Sequence, residues 1–345
     1  MNRKNKNRKR TVSLLLAAVT VISALSFSSC GNDRKLLDST KEDLTVIGNV
    51  GGFDVPLELY RYVALNTRED FDHGDSSVWI GEDGIKLLDS LNSAVDETIV
   101  RLYTTLAICE DYGIHADDGY IVDAVNAAME HIYGNYSYDY KAYINDISAH
   151  NMNDSVYRFL VRNDIMGEEL LAKMIALGEI PEYSEDFVSV AQSDAFVRVK
   201  QILVSSDSEK TEEERLEKIG RIKARLDNGT DFDTVLWEDG EDIFLFNNPD
   251  GYYISRGSFH TKFEDEAFSL AVGETGDIIE TPAGYSIVKR YEKEDSFIMS
   301  HLDDLYETYR DGLYNLALEK KNGTLSAEWN DKKEKYTVFT LNSSK

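Results

Sequence analysis

The sequence predicts an α+β fold in which a mostly helical, discontinuous domain holds a smaller α+β domain inserted within it. Three observations carry that prediction. An apolar stripe at steps of three and four runs from Leu88 to Cys109. At residue 195 the pattern turns to β-branched runs alternating with amphipathic helix, and from Phe297 the helical period returns. With 345 residues, 42% hydrophobic and 11% aromatic, the chain is long and apolar enough for two ordinary cores, which excludes a wholly disordered polymer.

Residues 2 to 10, NRKNKNRKR, carry six basic side chains and no acid, and lead into an apolar run from Val12 to Phe27, then Ser28, Ser29, Cys30 and Gly31. The run is short and broken by Thr20, Ser23 and Ser26, which predicts a cleaved secretion signal over residues 1–29 rather than a permanent span of ~20 apolar residues. The small residues before Cys30 resemble the lipobox of bacterial lipoproteins, with Phe27 where Leu is usual. That resemblance implies a diacylated Cys30 heading a tether, residues 30–43, on the extracytoplasmic face of the cell membrane.

The charge is 37 basic against 63 acidic side chains, net -26, and removal of the signal leaves 31 basic, net -32. Such a chain is repelled by phosphate backbones, so nucleic acid is excluded as a partner. Cys30 and Cys109 are the only cysteines, and the six histidines show no paired spacing; a disulfide framework, a structural zinc site and metal chemistry are not expected, nor is a cofactor. Cys109, in the apolar stripe, reads as a packed core thiol.

Along the mature chain, residues 44–194 form the first part of the helical domain. Leu44 to Ile47 reads as a strand, and Leu57 to Phe71 as a helix with Pro56 at its start. The stripe Leu88, Leu91, Val95, Ile99, Leu102, Leu106 and Cys109 marks a long helix ending at Gly113. Shorter helices are expected over Asp117–Tyr133 and Tyr138–Ile147, and a longer one, capped by Asp154, stops before Gly178 and Pro181. Residues 195–292 alternate: strand Phe196–Val204, helix Thr211–Leu226, a helical turn Phe232–Trp237, strand Tyr252–Ile254, helix Phe263–Leu270 and strand Tyr285–Tyr291. Residues 293–345 return as a helix through Ile298, Leu305 and Leu316 and a final strand Tyr336–Leu341, expected to pair near Leu44–Ile47 and complete the helical domain.

Residues 197–292 resemble the parvulin family of peptidyl-prolyl isomerases. The resemblance rests on Val199-Lys-Gln-Ile-Leu-Val204, Asp231-Phe232, Arg256-Gly257-Ser258-Phe259, Phe263-Glu264 with Ala267-Phe268, and Gly273-Glu274 with Thr281-Pro-Ala-Gly-Tyr-Ser-Ile-Val-Lys289. With the lipobox and flanking helices, the whole chain resembles extracytoplasmic foldase lipoproteins of the PrsA type, relatives of the chaperone SurA. That implies a membrane-anchored foldase acting on unfolded or partly folded exported polypeptides. In the family two histidines face each other under the substrate; Gln201 and Ser286 stand at those positions, and a third polar position falls on Asp242. Phe259 and Phe263 stand at the proline pocket, and a pocket leucine is lost in Pro249–Ile254. An isomerase that has exchanged both imidazoles for an amide and a hydroxyl is expected to be weak or inactive. The alternative is a non-catalytic holdase or peptide-binding lipoprotein. Two further features have plain readings beside functional ones. Glu238, Asp239, Glu241 and Asp242 read as a solvated acidic loop rather than a calcium site, and Tyr133, Tyr136, Tyr138, Tyr140 and Tyr143 as a sticky groove or simply a half-buried helix and turn.

Overall fold

The computed structural model describes residues 42–206 and 210–341; the signal segment and Cys30 lie outside the described residues. In chain order the elements are β1 Val46–Val50, β2 Phe53–Pro56, α1 Leu57–Asp72, α2 Gly81–Asp111, α3 Gly119–Asn135, α4 Tyr140–Ser148, α5 Asp154–Ala176, α6 Val188–Gln192, β3 Phe196–Ser205 and α7 Glu212–Asp227. They continue as α8 Phe232–Asp239, α9 Ile243–Asn247, β4 Tyr252–Ser255, α10 Thr261–Ser269, β5 Thr275–Thr281, β6 Gly284–Tyr291, α11 Asp295–Ser300, α12 Leu302–Asn322 and β7 Ala327–Trp329. The chain divides into two units, one reaching Leu170 and resuming at Lys321, the other running from Leu171 to Lys320. The α+β class and the insertion of one unit into a discontinuous other are as the sequence predicts.

The discontinuous unit is built on α2. Leu91, Val95, Ile99, Leu106 and Cys109 are buried along one face, as the stripe requires. Cys109 is fully buried with its thiol against the Met166 carbonyl at 3.4 Å, and burial pushes that thiol up to about 12. A three-stranded antiparallel sheet of order β2-β1-β7 lies beside it. The partner of β1 is Ala327–Trp329, in register Gly48↔Trp329, and not the expected strand at Tyr336–Leu341. In the latter segment the buried side chains are Val338 and Leu341, three residues apart, which is the spacing of a turn; Thr340 Oγ1 accepts the Thr337 N–H at 2.8 Å and closes it. Gly48 matters here: a Cβ at this position would lie 2.5 Å from Trp329 Cε3. At α5 the cap is Asn153, whose Oδ1 accepts the Val156 N–H at 2.9 Å, while Asp154 turns to Arg158 and the tyrosines.

The second unit is a four-stranded antiparallel sheet of order β4-β3-β6-β5 with a core on each face. Ile202, Val204 and Ile287 pack under Ile219, Ile222, Val235 and Leu236 of α7 and α8, and α7 begins with a capping box of Thr211 and Glu214. On the other face Val197, Val199, Ile254 and Val288 pack against Phe263 and Ala267 of α10. A third cluster joins Phe187, Phe196 and Tyr253 to Ile298, Leu305 and Tyr306, so segments on both sides of residues 195–292 belong to this unit's core. Strand β5 went unread in the sequence: it lies at the sheet edge, is mostly exposed, and contains Gly276.

Candidate active site

Alternation along β3 puts Val199, Gln201 and Leu203 on the α10 side of the sheet and Lys200, Ile202 and Val204 on the other. Antiparallel pairing with β6 sets Leu203 opposite Ser286 and Gln201 opposite Val288, which makes Gln201 and Ser286 diagonal neighbours on one face. Ser286 Oγ donates to Gln201 Oε1 at 2.8 Å, and Gln201 Nε2 donates to Asp242 Oδ2 at 2.7 Å. Asp242 precedes α9 and caps it, its Oδ1 accepting the Phe244 N–H at 3.0 Å. The Tyr252 hydroxyl, at the start of β4, donates to the same carboxylate, 2.9 and 2.8 Å from its two oxygens. The three polar residues named from the sequence are thus brought together in one chain of hydrogen bonds, and Tyr252 extends it.

Tyr252 also joins this chain to the aromatic residues. Its ring meets Phe259 edge-on at 5.4 Å, and Phe259 stacks on Phe263 at 5.2 Å with 24° between planes. Phe263 is buried in the α10 core, whereas Phe259 is 37% exposed and forms the accessible rim. The loop bearing Phe259 is held by Glu264, a buried carboxylate that accepts the Gly257 N–H at 3.0 Å and the Phe259 N–H at 2.7 Å. The same loop lies hard against α12: a Cβ on Gly257 would fall 2.1 Å from the Gly312 carbonyl oxygen.

Burial, then the hydrogen bond to Asp242 and its negative charge, push the Tyr252 hydroxyl's pKa well up, so it stays a donor. The polar chain is directional: Ser286 gives to Gln201, Gln201 to Asp242, and Tyr252 to Asp242. It contains no imidazole, so its amide and hydroxyl members do not exchange protons near neutral pH. The acidic run beside it, expected as a solvated loop, begins inside α8 and is ion-paired, with Glu238 still more than half exposed. Glu238 and Asp239 both pair with Arg225, and Glu241 binds Lys210 at 2.6 Å and Lys218 at 2.8 Å. Burial alone would raise Glu241, but those lysines and the Ser205 N–H hold it down to about 2. A cavity of about 190 Å³ opens between Lys223, Thr230, Asp231 and Lys289 and is lined by none of Ser286, Gln201, Asp242 and Tyr252.

Two site residues escaped the sequence reading. Tyr252 was visible only as a strand residue, because its link to Asp242 is a tertiary contact. Glu264 carried a signal, an acid between the core residues Phe263 and Ala267, which asks for buried partners.

Residues 186–294 match the family model of the PPIC-type PPIASE domain, which bears out the resemblance read in residues 197–292. Foldase protein PrsA of Geobacillus kaustophilus is 27% identical over 181 residues, covering 51% of this chain and 59% of that protein. Foldase protein PrsA 2 of Bacillus anthracis is 29% identical over 100 residues, 29% and 32% of the two chains. The chain thus matches less than two thirds of the length of either relative. A crystal structure of PrsA from Bacillus anthracis superposes with a TM-score of 0.35 at 18% identity, covering 66% of this chain and 95% of that one. PrsA from Streptococcus pneumoniae gives 0.30 at 18%, covering 70% and 88%; at such scores the superpositions add nothing to the family match.

Proposed function

We propose that this chain, similar to PrsA foldases and carrying a PPIC-type PPIase domain at residues 186–294, works outside the cytoplasm as a foldase for exported, unfolded or partly folded polypeptides. In this reading residues 195–292, with the flanking segments that complete their unit, grip X-Pro segments and isomerise them weakly, and the discontinuous unit that reaches Leu170 and resumes at Lys321 holds the client. Phe259, backed by Phe263, receives the prolyl ring, and Ser286, Gln201, Asp242 and Tyr252 form the polar wall beside it. The basic N-terminus, the apolar run and Cys30 support export and a lipid anchor. Among the described residues no helix is long and apolar enough to cross a membrane.

The observation that carries this reading is the closure of the polar chain next to an accessible aromatic rim. Isomerisation faces a barrier of ~18–20 kcal/mol, and a protein lowers it by binding the twisted amide better than either planar form. Here the Gln201 amide is engaged at both ends and Ser286 is almost fully buried and already donating. One neutral hydrogen bond strengthened in the twisted state contributes ~1 kcal/mol, roughly a fivefold to tenfold acceleration. Titrating the full chain with a panel of X-Pro peptides and following NMR line shapes tests the grip: Phe259→Ala weakens binding in this account, and unchanged binding refutes it. Cys30→Ala that still fractionates with membranes refutes the anchor.

The same closure favours a second reading, a holdase in which the domain binds peptide without turnover. Suppression of aggregation of several unrelated unfolded proteins, with no proline exchange above the spontaneous rate, selects it.

A further inference from the structure

In the discontinuous unit, Tyr133, Tyr138, Asp139, Tyr140 and Tyr143 line a pocket of about 100 Å³. Its inner wall is fixed from behind. The Tyr133 and Tyr143 hydroxyls both donate to Asp154 Oδ1, at 2.5 and 3.1 Å, and Arg158 completes the knot by donating to Asp154 Oδ2 at 2.7 Å and to the Tyr133 oxygen at 2.9 Å. With their hydroxyls turned to Asp154, these side chains offer carbon ring surface to the pocket. Tyr133 and Tyr143 meet at 5.0 Å and 80°, and Tyr133 and Tyr140 at 6.3 Å and 70°, so ring surfaces converge from nearly perpendicular directions. The outer wall is Tyr138, 66% exposed, and Tyr140, 46% exposed. Tyr138 is placed by a turn in which it and Ser137 both take left-handed backbone, φ 59° and 53°. Two successive non-glycine residues in that region are strained, by ~1–2 kcal/mol each, and the strain is held by the neighbouring structure.

We propose that this pocket is a binding site for the ammonium tip of a lysine side chain presented by a bound polypeptide. Three features select that occupant. The volume is well below the ~300–1,000 Å³ of sites for drug-sized ligands and suits the end of a single side chain. Converging aromatic faces attract a cation through the ring quadrupole, and a compact ammonium fits where a planar guanidinium is crowded. Asp139 stands at the wall and the whole chain carries a net charge of -26, which opposes an anion and draws basic segments in. Arg158 is bound to Asp154 and lies over the Tyr133 ring, 5.9 Å from its centroid, but it is absent from the lining, so Tyr138, Tyr140 and Tyr143 supply the ring surface for a second cation. The inference stands apart from the isomerase reading, since the proposed proline site belongs to the other unit, and either reading can fail while the other holds.

The test is an NMR titration of the full chain with 13C-labelled tyrosine rings. The probes are a blocked Ala-Lys-Ala tripeptide, the same peptide with norleucine, and n-butylammonium chloride. The site predicts that the lysine peptide shifts the Tyr138 and Tyr140 ring signals and the norleucine peptide does not. Tyr138→Leu and Tyr140→Leu each weaken binding about fivefold, as loss of one cation–π partner requires, and Asp139→Asn weakens it without touching a ring. Asp139→Asn keeps the Oδ1 that accepts the Ala142 N–H and caps α4, and thermal melting of the Leu variants, of which Tyr140→Leu loses ring contacts to Tyr133 and Tyr143, shows that each is folded before binding is compared. Equal shifts with norleucine, or lysine shifts that survive the double Leu variant, overturn the proposal. Butylammonium binding tighter than the lysine peptide overturns the polypeptide as its source.

Discussion

Glu264→Gln tests how the accessible aromatic rim of the proposed proline site is held. Glu264 is 3% exposed, and its two oxygens separately accept the Gly257 and Phe259 backbone N–H groups at 3.0 and 2.7 Å. The amide retains one acceptor and turns an NH₂ towards the other N–H, so one bond to a charged acceptor is lost and one buried donor is left unpaired. Each such loss is worth ~1–3 kcal/mol, which places Glu264→Gln at about 2 kcal/mol and Glu264→Ala, which strands both donors, at about 4 kcal/mol. For a unit running from Leu171 to Lys320 this is ~2–4 °C per kcal/mol, or about 4–8 °C for Gln. Urea unfolding followed by the fluorescence of Trp237, in α8 of the same unit, reads the loss once Trp79 and Trp329 of the other unit are replaced by Phe in both proteins compared. X-Pro peptide affinity falls in parallel, because the loop carrying Phe259 loosens. A Gln variant within 0.5 kcal/mol of wild type, or one that binds peptide unchanged, refutes the clamp.

Three further outcomes follow from the geometry. With its thiol pushed up to about 12, Cys109 does not react with a disulfide reagent at pH 8 in the folded chain and reacts fully in 6 M guanidinium; comparable rates in both states contradict its burial. Glu241, held down to about 2 from 4.5, contributes stability that is fully present above about 4.5 and is lost as pH falls towards 2. Lys210→Ala with Lys218→Ala therefore flattens that acid limb of the urea-unfolding profile, and an unchanged limb counts against the pairing. Gly48→Ala forces a Cβ to 2.5 Å from Trp329 Cε3 and 2.9 Å from the Glu328 carbonyl, and destabilises the β1–β7 pairing by about 1–3 kcal/mol in urea unfolding followed by the fluorescence of Trp329, in β7 itself.

What the sequence disclosed depended on how much of each element is settled locally. The α2 stripe was legible because one face of a long helix is buried throughout, and β3 and β6 because β-branched residues fill a central pair of strands. The return strand was misplaced because Ala327–Trp329 is too short to show a period, while Val338 and Leu341 are anchors of a turn that reads like a strand. At the site, Gln201, Asp242 and Ser286 were named through family resemblance alone. Their joining depends on a diagonal register across β3 and β6 and on a cap at α9, neither of which leaves a local pattern. Tyr252 is the clearest case: its hydroxyl completes the polar chain and its ring abuts Phe259, both through contacts that spacing does not encode.

The central claim is a proline grip whose polar wall is closed on itself, and proline exchange in X-Pro peptides measured by NMR with catalytic amounts of the full chain tests it most directly. The account predicts acceleration of no more than roughly tenfold, lost in Phe259→Ala and flat between pH 6 and 8, because no group in the Ser286–Gln201–Asp242–Tyr252 chain exchanges an imidazole proton. Acceleration of a thousandfold or more, or a bell-shaped pH profile, contradicts it.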